Sequence, residues 1–296
     1  MSSAARPTFA EALASRAVLV ADGATGTNYQ EMGLTLGAAP EDWLFEAPER
    51  VLELHRAFVE AGADLILTDT FGATPVRLAE TGLAGRTREV NVRAAELARE
   101  AAGDRALVAG SLGPTGQLAE PLGPLGSEEC AAAYAEQAAA LTEGGVDLLV
   151  METFFALEEA LPGIEGVQSA SDLPLVVSFS FDRGTHTMMG VSPAQAVTTL
   201  SELGVTAVGA NCGRGPDEME IIVGQMAQVR PDGLLLAAQS NAGLPVLVGD
   251  RFAYDKAPHD MAEHARRLRA AGVDLIGACC GSTPEHVAAM RVALAG

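Results

Sequence analysis

Four short segments of this 296-residue chain repeat one another. They are Ala61-Gly62-Ala63-Asp64-Leu65-Ile66-Leu67, Gly144-Gly145-Val146-Asp147-Leu148-Leu149-Val150, Leu203-Gly204-Val205-Thr206-Ala207-Val208-Gly209 and Ala271-Gly272-Val273-Asp274-Leu275-Ile276-Gly277. Self-similarity of this kind identifies an architecture before any single motif does. Each copy follows an Ala/Glu/Leu-rich stretch with helical periodicity and leads into a short apolar run. The glycine therefore reads as a helix C-terminal cap ahead of a buried strand.

The four glycines stand 83, 59 and 68 residues apart, too far for one strand-helix unit and right for two, at about 35 residues per unit. Further short apolar runs fill the gaps, at Val18–Ala21, Ala106–Ala109, Leu175–Phe179 and Leu234–Ala237. Eight strands alternating with helices predict a single-domain α/β protein, a (β/α)8 TIM barrel over residues 1–296 with a flexible tail at 1–8. An open doubly wound sheet is disfavoured because no strand leads into G-x-G-x-x-G, and Asp22-Gly23-Ala24-Thr25-Gly26-Thr27 lacks the lysine of a phosphate-cradling loop. The Gly/Pro-rich stretch Gly113–Gly126 follows the third strand, where a barrel carries an active-site loop.

Composition limits the partners. With 19 basic and 39 acidic residues the formal charge is −20, which argues against nucleic-acid backbones and anionic membrane surfaces. No apolar run nears the roughly 20 residues of a membrane span, and Met1–Pro7 lacks the apolar segment of a secretory signal, so a cytoplasmic location is expected. A small-molecule or protein partner is left, and homo-oligomeric assembly stays open. Four cysteines in so long a chain cannot form a disulfide scaffold.

In a barrel, chemistry sits where strands end, so equal distances from each repeat glycine mark equivalent positions. Seven residues on are Asp69, Glu152, Asn211 and Cys279; eight on are Thr70, Thr153, Cys212 and Cys280. Three of the four cysteines thus gather at one face. A lone cysteine there would read as a small buried hydrophobe, the role expected for Cys130 in a helix after Ser127. Three together read as a metal site. Cys279 and Cys280 can share an ion only if the strand has ended or bulged, and Gly281 makes that easy. Three thiolates suit Zn2+ and leave a fourth tetrahedral position open, the pattern of a catalytic ion. No histidine is placed as a ligand; His55, His186, His259, His264 and His286 read as solvated or capping residues.

The motifs Asp22–Thr27, Thr68-Asp69-Thr70-Phe71-Gly72, Asp147–Thr153, Gly209-Ala210-Asn211-Cys212, Asn241-Ala242-Gly243-Leu244-Pro245 and Gly277-Ala278-Cys279-Cys280-Gly281 together resemble the homocysteine S-methyltransferase family. The resemblance spans about residues 17 to 295 and implies a zinc-dependent barrel that binds homocysteine. Its zinc ligands would be Cys212, Cys279 and Cys280, with the homocysteine sulfur in the open position. Glu152 and the Asp22-Gly23 turn would hold the amino and carboxylate ends of the substrate, with Thr70 and Asn211 at neighbouring strand ends. Lys256 is the only lysine in the chain, which disfavours a buried lysine pair as the reason for Glu152; a turn or helix-cap role competes for Asp22.

A sulfonium or quaternary ammonium donor is a cation that aromatic faces attract. The candidate faces are Trp43, Phe71, Phe154 and Phe155, core packing being the competing role for each phenylalanine. The cage tyrosines of the betaine-using branch align with Gly72 and Thr153, a departure from that branch. The expected activity is methyl transfer to homocysteine from S-methylmethionine, betaine, dimethylsulfoniopropionate or a similar small donor. The close alternative is the homocysteine-binding unit of a corrinoid-dependent system; the sequence to Gly296 contains no stretch that reads as a cobalamin or folate module. A zinc hydrolase would favour His and carboxylate ligands. A zinc- or thiol-binding regulatory protein would need the ion but no methyl donor.

Overall fold

A computed structural model describes residues 6–248 and 251–295. Its main sheet holds eight parallel strands, β1 (Leu19–Val20), β2 (Leu65–Leu67), β3 (Leu107–Leu112), β4 (Leu148–Phe154), β5 (Leu175–Phe179), β6 (Ala207–Cys212), β7 (Leu235–Ser240) and β8 (Leu275–Ala278). Their order is β1-β8-β7-β6-β5-β4-β3-β2, and a parallel bridge from Ala21 to Leu65 brings β1 to β2 and closes the ring. The architecture is the (β/α)8 barrel that the repeat spacing predicts.

Strand residues divide by parity, because successive side chains of a strand point to opposite faces. Leu19, Leu65, Leu67, Leu107, Leu148, Val150, Val176, Ala207, Ala237 and Leu275 fill the lumen. Their neighbours Val20, Ile66, Val108, Leu149, Val177, Val208, Leu236 and Ile276 pack under the surrounding helices. The helix Phe9–Ser15 adds Phe9 and Ala12 to the lumen cluster. Of the expected tail, residues 1–5 lie outside the described residues, and Thr8 caps this helix by accepting the Glu11 N–H.

All four repeat glycines adopt positive φ, +95° at Gly62, +84° at Gly145, +71° at Gly204 and +87° at Gly272, the left-handed cap that glycine adopts without steric cost. The repeat acids do a second job. The Asp64 carboxylate accepts the Val20 N–H at 3.0 Å, Asp147 that of Val108 at 2.7 Å and Asp274 that of Leu236 at 2.9 Å. In the copy lacking an acid, the Thr206 hydroxyl takes the Leu175 N–H at 3.2 Å. Each staple joins an odd-numbered strand to the next one, which is why the repeat spans two units. Arginines cover the carboxylates: Arg16 and Arg291 on Asp64, Arg230 on Asp274 and Arg99 on Asp147. This end of the barrel is built for stability, and the opposite end is free for chemistry.

Between β7 and β8 the chain forms an antiparallel hairpin, Val246–Val248 with Arg251–Ala253, that the strand pattern did not predict. Among the described residues no helix is long and apolar enough to cross a membrane.

Candidate active site

Stepping by two from the lumen residues reaches the C-terminal rim at Ser111, Glu152, Ser178, Asn211 and Gln239, so the parity that packs the barrel also places its polar layer. The thiols depart from that regularity. Cys212 ends β6 at φ +56°, a left-handed conformation rare for a side chain with a Cβ. Cys279 and Cys280 follow β8 in a turn closed by the Ser282 N–H on the Cys279 carbonyl at 3.1 Å, with Gly281 at φ +79°. Alternation is broken there, and both side chains face Cys212. The Cys212 and Cys279 sulfurs are 2.8 Å apart, and all three lie within 4.8 Å of one another.

Three thiolates on one tetrahedral ion stand about 3.8 Å apart, given a metal–sulfur bond of about 2.3 Å. The trio fits a thiophilic cation with small side-chain adjustments. Without an ion, hydrogen bonds from Cys212 and then Cys279 drive Cys280 down to about 3. Sulfur hydrogen bonding with Cys212 and Cys280, together with burial, pushes Cys279 well up. One proton is thus readily lost from the cluster. Cys130 stays apart, buried in the helix Ser127–Glu143 with its thiol on the Glu159 carbonyl.

Two buried acids flank the thiols. Glu152 accepts the Ser111 hydroxyl at 2.5 Å; burial, reinforced by the charge of Cys280, pushes its carboxyl up to about 7. Asp22 accepts the Leu67 N–H at 2.9 Å, and burial pushes it well above the usual carboxylate range. Asp22 is not a helix cap, since Thr25 occupies the N-cap position of the following helix. At Gly23 a Cβ would lie 2.5 Å from Ser282 Oγ. The turn carrying Cys279 and Cys280 therefore packs directly on the β1 loop, held by the Ala24 N–H to Ser282 Oγ at 3.0 Å and the Gly281 N–H to Thr27 Oγ1 at 3.2 Å.

Several of the expected site residues make hydrogen bonds within the protein. Thr70 is fully buried; its hydroxyl pairs with Thr68 Oγ1 at 2.7 Å and donates to the Ser111 carbonyl at 2.7 Å. Asn211 clamps Thr153, which sits at φ +67° where the β4–β5 register shifts. The Asn211 Oδ1 accepts the Thr153 N–H at 2.8 Å and the Ser178 hydroxyl at 2.7 Å, while Nδ2 donates to Thr153 Oγ1 at 2.7 Å. Phe154 offers no face: past that shift it enters the helix-sheet layer between Tyr134 and Phe179. Trp43 is buried, stacked on Tyr29 with Arg50 over its ring. Of the four candidate faces Phe71 is the most open, at 37%, and Phe155 is half-buried. Asp69 is buried beside Tyr29 and Glu41, with its Oδ2 unpartnered.

The histidines also correct an expectation. His55 and His264 are buried, not solvated, and burial pushes His55 down to about 4. His286 caps its own helix through the Thr283 N–H.

Sequence reasoning missed Ser111, Ser282 and Tyr254. Ser111 was reachable, two steps beyond the lumen residues Leu107 and Ala109. Tyr254 carried no local signal. It comes from the loop after the hairpin, covers Gly281, where a Cβ would lie 2.1 Å from its ring, and hydrogen-bonds Cys280.

Fold and site together define a (β/α)8 barrel with a three-thiol cluster at its C-terminal rim, and comparison with known proteins gives its class. The sequence profile of the homocysteine S-methyltransferase family matches residues 19–294. The chain belongs to that family. It is 32% identical over 303 residues to a methionine synthase of Mycobacterium leprae (strain TN), covering 96% of this chain and 25% of that protein. The chain thus spans about a quarter of this relative's length. Crystal structures of the homocysteine methyltransferase MmuM from Escherichia coli superpose with TM-score 0.78, in the oxidised form at 25% identity and in the metallated form at 26%, each covering 95% of this chain and 97% of MmuM.

Proposed function

We propose that the chain transfers a methyl group from a small onium donor to the sulfur of homocysteine, with Zn2+ held by Cys212, Cys279 and Cys280. The observation that carries this reading is the convergence of three sulfurs from two strand ends within 4.8 Å, beside a buried carboxylate. The existence of a metallated form of MmuM supports a metal in this place. When bound, the ion supplies the Lewis acidity that keeps a fourth sulfur as thiolate, the nucleophilic form.

The chain's own residues do the rest. Glu152, ionised above about pH 7, pairs with the substrate ammonium. Burial pushes Asp22 well above the usual carboxylate range, which favours the protonated form that can donate to the substrate carboxylate over the ionised form that would repel it. Fixing both ends of homocysteine aims its sulfur along one line of attack, and orientation of this kind is worth up to roughly 7 to 11 kcal/mol. Phe71, the most exposed of the candidate rings, offers an aromatic surface to the donor cation. In the reaction the sulfur lone pair forms the new S–CH3 bond as the donor's bond to that methyl breaks, its electron pair leaving with the donor and neutralising the onium charge.

A second reading, the homocysteine-binding unit of a corrinoid-dependent system, is favoured by the fourfold greater length of the methionine synthase relative. Exposed Leu244, Val246, Leu247, Val248 and Phe252 on the β7–β8 loop favour it too. Methionine formation measured side by side with S-methylmethionine, betaine, dimethylsulfoniopropionate and methylcobalamin tests both. Turnover with a sulfonium or ammonium donor is expected; turnover with methylcobalamin alone would replace the first reading by the second.

A further inference from the structure

A small onium donor carries two charged groups, and Phe71 accounts for one of them. S-methylmethionine, betaine and dimethylsulfoniopropionate each bear a carboxylate a few bonds from the onium centre. The C-terminal rim of the barrel is acidic, with Asp22, Glu41, Asp69 and Glu152 buried there. A donor carboxylate therefore needs a local cation to offset their repulsion.

The loop that carries Phe71 supplies one. Past β2 the chain runs through Phe71 and Gly72 and turns into the short helix Pro75–Leu78, which bears Arg77. The guanidinium folds back over that turn. A Cβ at Gly72 would lie 3.4 Å from Arg77 Nε, and one at Gly116, in the loop after β3, would lie 2.7 Å from Nη1. Gly116 answers a backbone need, at φ +83°. Gly72 does not adopt positive φ; the room a Cβ would take there is filled by Glu41 Oε1, at 2.8 Å, and by Arg77. Arg77 thus lies across the seam between the β2 and β3 loops, the seam that Phe71 closes by packing on Gly113.

The guanidinium is placed there but not engaged. Other arginines of the surface are held by carboxylates, Arg56 by Glu100, Arg86 by Glu89 and Arg88 by Glu143. Among the described residues none forms an ion pair or hydrogen bond with the Arg77 guanidinium. Glu41 attracts it from beneath, while Glu41 Oε1 accepts the Gly72 N–H at 2.6 Å. The planar fork of N–H donors stays available, the geometry that grips a carboxylate by both oxygens. Arg77 Nε stands within about 9 Å of the Phe71 Cα by bond lengths alone, a span that a donor with its two charges a few bonds apart can bridge. Lys256, the only lysine, packs instead over Gly243 on the loop after β7.

We propose that Arg77 binds the carboxylate of the methyl donor while Phe71 faces its onium centre, so that the site selects onium compounds bearing a carboxylate over those without one. The inference rests on the methyl-transfer reading and assigns the donor specificity of that reaction to the β2 loop.

The test compares the wild-type full-length chain, reconstituted with Zn2+, with Arg77→Met, which keeps an apolar stem, and Arg77→Lys, which keeps the charge without the fork. Donor binding is measured by calorimetry, and the KM for each donor and for homocysteine by methionine formation. The donors are S-methylmethionine, betaine and dimethylsulfoniopropionate, set against the carboxylate-free trimethylsulfonium and tetramethylammonium. In Arg77→Met the carboxylated donors are expected to bind more weakly and to show a KM raised about tenfold, the low end for a charged hydrogen-bonded contact because Arg77 is exposed. Arg77→Lys should recover part of this, with the KM for homocysteine and the response to the carboxylate-free pair unchanged. Unaltered donor binding and KM in Arg77→Met would overturn the assignment, as would an equal loss toward both groups of donors or a loss that extends to homocysteine. Wild-type binding of carboxylated donors no tighter than that of the carboxylate-free pair would overturn it too. Donor binding that depends on Arg77 without any methionine formed would remove the methyl-transfer reading and leave the carboxylate contact standing; neither binding nor turnover with any donor would overturn both.

Discussion

Asn211→Ala separates a clamp from a substrate contact. The side chain is 1% exposed and makes three hydrogen bonds, two to Thr153 and one to Ser178. At about 1 kcal/mol each, their loss costs about 3 kcal/mol if the turn keeps its shape. Thr153 at φ +67° carries roughly 1 to 3 kcal/mol of backbone strain, and relaxation of the freed turn would return part of that. The net expectation is about 1 to 3 kcal/mol of lost stability in the metal-free protein, with Glu152 and Cys212 unseated as the backbone beside each relaxes. Urea unfolding of the metal-free variant followed by circular dichroism reads the first quantity, and zinc content after reconstitution reads the second. A variant with unchanged unfolding and full zinc content, raised only in its KM for homocysteine, would show that Asn211 contacts substrate and would refute the clamp.

Three more outcomes follow from the geometry. Gly281→Ala adds a methyl group 2.1 Å from the Tyr254 ring at φ +79° and is expected to lose most bound zinc; full zinc stoichiometry by elemental analysis would contradict the packing argument. In the proposed reaction the carboxylate of Glu152 is the form that would hold the substrate ammonium, and its carboxyl is pushed up to about 7. The KM for homocysteine is therefore expected to rise as pH falls through 7, by at most about tenfold per unit, and Glu152→Gln should give a high, flat profile in the same assay. Asp69 is raised well above the carboxylate range by burial and then by Glu41. An acid raised in the fold holds its proton more tightly there than in the unfolded chain, so its contribution is fully present below the unfolded pKa of about 3.9 and is lost as pH rises through the folded value. Asp69→Asn is thus expected to raise the thermal midpoint of the metal-free protein at neutral pH more than at pH 4; an equal shift at both would deny the buried charge.

Much of the fold was legible because its signals are local and periodic. Gly62, Gly145, Gly204 and Gly272 end helices for a steric reason that acts within a few residues, and the apolar runs after them are too short for helices. Counting from these glycines reached Glu152, Cys212, Cys279 and Cys280, because equivalent strands of a barrel end at one rim. The same counting reached Thr70 and Asn211 but not their partners. Both stand at the right height on their strands, yet their polar groups are taken by Ser111, Thr153 and Ser178, residues tens of positions away.

The amino-acid order alone determined the number of barrel strands and the rim at which the cysteines gather, since these depend on periodicity and on chain length between caps. Tertiary structure alone decided which strand ends curl, at Thr153, Cys212 and Gly281, and which polar groups remain free for a ligand. Left-handed backbone at Thr153 and Cys212 is locally unfavourable, and it persists because hydrogen bonds from other strands hold it in place, a balance that no stretch of neighbouring residues contains.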